Sequence, residues 1–199
     1  MIDKNRIKEL LKEQNNTRNF SHICTKSGET IREDIIRSNI LTSKEQISSL
    51  IDNTLKTIID LRIKEEGGGD KNSIYADSTM HHLPIEFGNM DFQKISELLT
   101  AGGIEEIDSF VKNGYYVFGS DFKDEVKSFF SILLNKDNLP IAFHCSAGKD
   151  RTGMLTALFL LALDVHQDDV IRDYMETNNR IDTKKISEKI TEYYQSAQG

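Results

Sequence analysis

Long apolar runs are missing from this 199-residue chain. No stretch approaches the ~20 consecutive apolar residues that cross a bilayer. Residues 1–16 are charged throughout and lack the apolar centre of a secretory signal. The expectation is a cytoplasmic protein without stable membrane insertion, with export by a route that shows no such signal left open. Cysteine is scarce as well. Cys24 and Cys145 are the only two, too few for a disulfide framework and suited to a reduced compartment. Positive charge is in deficit: 25 Lys and Arg stand against 32 Asp and Glu, a formal net charge of −7. That balance argues against nucleic acid as a partner and against bulk attraction to anionic membrane. There is no internal repeat, low-complexity tract or interdomain linker, and Gly67-Gly68-Gly69 is too brief to divide domains. What remains is one domain over residues 1–199, 38% hydrophobic and 29% charged, large enough for a proper core.

Strand-like and helix-like stretches alternate along it. Residues 1–16 carry Ile2, Ile7, Leu10 and Leu11 among charges, an N-terminal helix or a frayed extension. Residues 18–40 predict short strands and turns around Ser27-Gly28. Thr42-Ser43-Lys44-Glu45 predicts a capping box, with Ile47, Leu50, Ile51 and Leu55 following at helical spacing. Residues 57–61 predict a short buried strand, 65–73 a loop and 81–87 another strand. Helices are expected over 92–99, 104–111 and 122–134, broken at Gly102-Gly103 and Asn113-Gly114. An apolar strand at 139–143 and a buried helix at 154–163 flank residues 144–152, and a last helix opens at Gln167-Asp168-Asp169. The alternation predicts an α/β fold with helices around a central, mostly parallel sheet.

The chemistry concentrates in His144-Cys145-Ser146-Ala147-Gly148-Lys149-Asp150-Arg151-Thr152-Gly153. Strand, tight loop and helix in that order aim successive backbone N–H groups at one point, which makes an anion site. Cys145 puts a nucleophile at the bottom of that cradle. Arg151, six residues on, supplies a planar fork for two phosphate oxygens. A nucleotide-binding P-loop is excluded, because Asp150 follows Gly148-Lys149 where Ser or Thr is needed and the first glycine is missing. The reading is cysteine-based hydrolysis of a phosphate ester.

The same ten residues resemble the signature loop of the cysteine-dependent protein tyrosine phosphatase superfamily. The run Gly148-Lys149-Asp150-Arg151-Thr152-Gly153 is similar to that of bacterial tyrosine and dual-specificity phosphatases, some of which also hydrolyse phosphoinositides. Weaker matches lie outside the loop. Arg18-Asn19-Phe20 resembles the start of the family's Asn-Phe-Arg-Asp-Leu-Gly entry motif, with Ser21-His22-Ile23 replacing the rest. Ile36-Arg37-Ser38, Ile59-Asp60-Leu61-Arg62 with Glu65 and Glu66 after it, and Asp173-Tyr174 match other landmarks, so the likeness covers residues 18–178. It implies a protein-tyrosine-phosphatase-like fold and needs no cofactor or metal.

On this reading Cys145 attacks phosphorus as a thiolate and forms a phosphocysteine that water later removes. Thiols at helix N-termini beside cationic groups titrate at roughly 3.5–7.5, against 8.5 when free. Ser146, Ala147, Gly148, Lys149 and Asp150 line the cradle with Arg151, and Arg151 stabilises charge in the transition state. Thr152 is placed to hydrogen-bond the sulfur, and His144 to order the loop backbone. The pair His81-His82 reads as a strand-end feature rather than a zinc site. By resemblance, Lys149 adds positive charge at the mouth and favours doubly phosphorylated or inositol-lipid head groups. The alternative is a solvated ion pair with Asp150, worth only ~0–1 kcal/mol.

The leaving group needs a proton donor. Superfamily members place an acid on a separate loop; following Leu83-Pro84-Ile85 the matching position holds Glu86, Asp91 lies five residues on, and Asp150 is a third candidate. Asp60 reads as structural, paired with Arg62 or Arg37. Relatives carry mobile helices over the site in the region of residues 91–120, and the glycines at 102–103 and 114 are compatible with hinges or with an ordinary helical excursion. A phosphorylated protein is the first expected substrate, phosphotyrosine before phosphoserine or phosphothreonine, and a phosphoinositide the second. A non-catalytic phosphate-binding module and a sulfurtransferase are the rival classes. Oligomeric state is left open.

Overall fold

The computed structural model describes residues 15–48, 50–51, 55–69, 76–86, 104–182 and 184. Their centre is a five-stranded sheet built from β1 (Arg18–Asn19), β2 (Ile35–Ser38), β3 (Thr57–Asp60), β4 (Thr79–His82) and β5 (Ile141–His144). The order is β1-β2-β5-β3-β4, with β1 antiparallel to β2 and every other neighbouring pair parallel. The expected α/β architecture with a mostly parallel sheet is present.

The three inner strands are buried along their whole length, which is why Ile35-Ile36, Ile58-Ile59 and Ile141-Ala142-Phe143 read as continuous apolar runs. Alternation within the runs sends neighbours to opposite faces. Ile35, Ile59, Ile141 and Phe143 join one core with Phe20, Phe129, Leu155, Phe159 and Leu160. Ile36, Ile58 and Ala142 join a smaller one with Leu41, Ile47 and Leu55. The large core is covered by three helices: α2 (Ile104–Asp121), α3 (Lys123–Leu134) and α4 (Asp150–Ala162). On the other face lies α1 (Glu45–Ser48), and α5 (Gln167–Arg180) packs against α4. At the centre Phe143 meets Phe129 edge-on, with ring centroids 5.0 Å apart. Truncating such a buried aromatic to alanine costs about 3–5 kcal/mol.

Three local expectations are corrected. The helix-capping carboxamide is Gln46, whose Oε1 accepts from the Thr42 and Ser43 amides at 2.5 and 3.0 Å; the box therefore starts at Ser43, one residue later than the Thr42–Glu45 spacing suggested. No break occurs at Asn113-Gly114, because α2 runs through both. A glycine inside a helix costs only ~1 kcal/mol, and Gly114 is buried, so packing outweighs its local preference. Asn16, expected in an N-terminal extension, is fully buried because its side chain is tied into the interior. The expectations for residues 1–14 and the helix at 92–99 lie outside the described residues.

Candidate active site

The parallel strands end in a row. Ser38 is in register with His144, His144 with Asp60, and Asp60 with His82. Whatever follows each strand therefore emerges at one edge, the carboxyl edge where open α/β sheets bind ligands. Residues 39–40, 61–66, 83–86 and the loop after His144 meet there.

The loop is held from beneath by its own carbonyls. Asn16 Nδ2 donates to the Ala147 and Gly148 carbonyls at 3.2 and 2.8 Å. Arg37 Nη2 donates to Gly148 at 2.8 Å, and the Ile40 amide donates to Ser146 at 3.0 Å. Gly148 adopts φ +65°, and a Cβ there would lie 2.4 Å from the Ser38 carbonyl oxygen; only glycine fits. Among the described residues, the amides of Ser146, Ala147, Gly148 and Lys149 donate to no backbone carbonyl. With the first turn of α4 they leave a run of backbone donors at this strand end, an arrangement that can hold an anion.

Under the loop lies a buried ionic knot. Arg37 Nη1 reaches Asp173 Oδ2 at 2.5 Å and Arg18 Nε reaches Oδ1 at 2.7 Å. Burial opposes ionisation of Asp173, but the Arg37 charge and the Arg18 bond outweigh it and hold the carboxyl below its usual range. Burial, then the like charge of Arg18, brings the Arg37 guanidinium down to about 10 against the pull of Asp173. Both groups stay charged at neutral pH.

Cys145 is buried, and its Sγ accepts from Thr152 Oγ1 at 3.2 Å. His144 Nδ1 lies 3.1 Å from the Cys145 carbonyl, which as an acceptor requires the hydrogen on that nitrogen. Burial holds the His144 pKa below its ordinary value, so the ring is neutral and touches the loop backbone. Asp60 pairs with Arg62, with Nη2–Oδ2 at 2.8 Å; Arg37, the other candidate partner, goes to Asp173. His82 Nε2 sits 2.7 Å from the Arg62 carbonyl, a strand-end contact.

At the mouth Arg151 forks Glu66, with Nη1–Oε2 at 2.5 Å and Nη2–Oε1 at 2.6 Å. Ser146 Oγ donates to the same carboxylate at 2.8 Å, and the Ile63 amide does so at 3.1 Å across the 3₁₀ turn Lys64–Glu66. Burial would raise the Glu66 carboxyl, but the Arg151 bond and charge override it and lower the pKa. Burial works against the Arg151 charge too. The Glu66 bond, followed by the charges of Cys145 and Glu66, prevails and raises its pKa.

The candidate acids separate in space. Glu86 is exposed, one residue past the Ile85 carbonyl that lies 3.4 Å from Arg151 Nη1. Asp91 lies outside the described residues. Asp150 stands on the loop itself: its Oδ1 accepts from the Tyr115 hydroxyl of α2 and lies 3.7 Å from Lys149 Nζ. Tyr115 in turn meets the Tyr174 hydroxyl of α5 at 2.8 Å. The Lys149 side chain is 48% exposed. Sequence reasoning missed Asn16, the grip of Glu66 on Arg151 and the tyrosine pair. Glu66 had been noticed only as one of two adjacent glutamates, and nothing in the sequence chose between them.

A cysteine at the foot of the loop amides, with an arginine fork at its rim, is the arrangement expected of the cysteine-dependent phosphatase class. The comparisons give the family: the model of the tyrosine phosphatase family matches residues 10–198, and the chain belongs to that family. It is 27% identical over 168 residues to a Cupriavidus necator protein whose name assigns it provisionally to the tyrosine-protein phosphatases, covering 83% of this chain and 61% of that one. It is 39% identical over 57 residues to the triple specificity protein phosphatase PtpB of Mycobacterium tuberculosis, covering 28% of this chain and 21% of that one. The chain thus spans about three-fifths of the first relative's length and one-fifth of the second's.

Proposed function

We propose that this chain hydrolyses phosphotyrosine monoesters, and phosphoserine or phosphothreonine more slowly, through a phosphocysteine on Cys145. The observation that carries the reading is the convergence of Cys145 Sγ, the loop amides and the Arg151 fork at one strand end. The Cys145 thiolate attacks phosphorus, the S–P bond forms and the P–O bond to the leaving group breaks. Asp150 gives that oxygen its proton. Water then attacks the phosphocysteine, the Asp150 carboxylate takes a proton back, and inorganic phosphate leaves with the thiolate restored. The Thr152 hydroxyl bond stabilises the departing sulfur.

Arg151 binds equatorial oxygens through its Nε edge while Glu66 holds the Nη edge in place. Asp150 is favoured as proton donor over Glu86 because it belongs to the cradle, whereas Glu86 is an exposed residue beyond it. A second reading, hydrolysis of phosphoinositides, is supported by the half-exposed Lys149 ammonium on the rim, a point charge suited to a second phosphate. The test is phosphate release from phosphotyrosine peptide, phosphoserine peptide and phosphoinositide, with Cys145→Ser as control. Cys145-dependent release sustains the reading, and the ranking chooses between protein and lipid. Release from none of them by folded, reduced protein would overturn it in favour of a binding module.

A further inference from the structure

The two tyrosines have no part in the steps above, yet one contacts the proposed acid and the other contacts the first. Tyr115 on α2 donates its hydroxyl to Asp150 Oδ1, and Tyr174 on α5 lies 2.8 Å from the Tyr115 oxygen. The three groups come from three separate elements, so the contact is a product of tertiary structure. Tyr174 is fixed in turn: a Cβ on Gly153, in the first turn of α4, would lie 2.6 Å from its Cε2. The ring therefore packs flush on that glycine and its hydroxyl position is set. Burial, then acceptance by Asp150, raises the Tyr115 pKa, so its hydroxyl keeps its proton and remains a donor.

Both recorded contacts of Asp150, from Tyr115 and from Lys149, fall on Oδ1. A carboxyl group that serves as acid and then as base must present one particular oxygen to the leaving group. We propose that Tyr115, backed by Tyr174, is a positioning residue that fixes Asp150 through Oδ1 and leaves Oδ2 as the oxygen that delivers and recovers the proton. This rests on the reading of Asp150 as proton donor. The Tyr174–Tyr115–Asp150 chain orients the carboxyl plane, and each hydroxyl polarises the next. It also makes proton delivery depend on where α2 sits, since Tyr115 carries an α2 contact to Asp150.

The experiment compares kcat/KM on two aryl phosphates: p-nitrophenyl phosphate, whose leaving group departs with little help, and phenyl phosphate, whose leaving group needs a proton. Wild type, Tyr115→Phe, Tyr174→Phe, Asp150→Asn and the double variant Tyr115→Phe/Asp150→Asn are measured, with far-UV circular dichroism to confirm the fold. Loss of a general acid typically costs 10²–10⁴-fold. Tyr115→Phe is expected to lose roughly tenfold or more of that on phenyl phosphate and less than about threefold on p-nitrophenyl phosphate. Tyr174→Phe should show a weaker form of the same split, and Tyr115→Phe should add nothing once Asp150 is Asn. An equal loss on both substrates, or a loss that persists in the Asp150→Asn background, overturns the proposal. If Asp150→Asn shows the split and Tyr115→Phe does not, only the role of Tyr115 falls. If Asp150→Asn shows no split, the acid assignment falls and takes this proposal with it.

Discussion

Two arginine–carboxylate pairs clasp the signature loop from opposite sides. Beneath it Arg37 meets Asp173, and at the mouth Arg151 meets Glu66, each at 2.5 Å. The upper contact is bidentate and the lower a single Nη1–Oδ2 bond to a carboxylate that Arg18 forks, and the surroundings differ too. The lower pair is sealed, with side chains 0% and 1% exposed, and Arg37 spends its other Nη on the Gly148 carbonyl. The upper pair is 14% and 26% exposed, so a ligand can reach the guanidinium. A sealed pair sets geometry and an open one can exchange partners. The contrast teaches that a buried ion pair in a site is interpreted by what its remaining donors touch.

Asp173→Ala gives the strongest test of that division. It leaves Arg18 and Arg37 buried without their counter-ion, and breaking such a pair costs about 3–5 kcal/mol. Urea denaturation should show that loss, with activity failing because the loop loses its floor. Arg151→Lys should do the reverse: turnover falls roughly 10²–10³-fold, the scale of losing a transition-state donor, while the urea midpoint moves little. Equal stability losses in the two variants would erase the distinction. Gly148→Ala forces a side chain into a positive-φ position against the Ser38 carbonyl. The expected cost is about 1–3 kcal/mol, with the backbone carbonyl that Asn16 and Arg37 share pushed out of place, readable in the same denaturation series.

The smallest effect is on pH dependence. Asp173 and Glu66 have folded pKa values held below their unfolded ones, and so does His144. In each case the unfolded chain binds the proton first on acidification. Their stabilisation is therefore complete above the unfolded pKa, about 6.5 for histidine and about 4 for carboxylates, and is lost as pH falls through the folded values. Stability should decline on acidification from about pH 6.5 for His144 and from about pH 4 for the carboxylates. His144→Asn should flatten the upper part of that slope and Asp173→Asn the lower part. A slope unchanged by either variant would contradict the assignment.

Much of this was legible in the sequence. The loop from His144 to Thr152, the apolar strands feeding it and α5 are local patterns, and local patterns survive folding. The sulfur–Thr152 bond was expected from the resemblance of the loop, and both residues belong to that loop and the helix it opens. The supports of the loop were not legible. Asn16 and Arg37 reach it from more than a hundred residues away, and a lone Asn or Arg carries no periodicity. Glu66 and Tyr115 were visible but undirected, since their partners are chosen by how the sheet brings strand ends together. Gly114 misled for the opposite reason: a breaker signal is weak where burial holds the helix.

The place of β5 in the sheet has a kinetic consequence. β2 and β3 follow one another in the chain, yet β5 lies between them. Their shared edge cannot close until residues 141–144 have been made and inserted, a pairing of high contact order that slows folding. Until then the growing chain holds two open sheet fragments with unpaired backbone edges, the kind of exposure that invites aggregation. The strand whose insertion ends that exposure leads directly into Cys145. The proposed nucleophile is therefore assembled in the same event that closes the fold, so a nascent chain lacks its candidate reactive centre until it has ceased to be sticky.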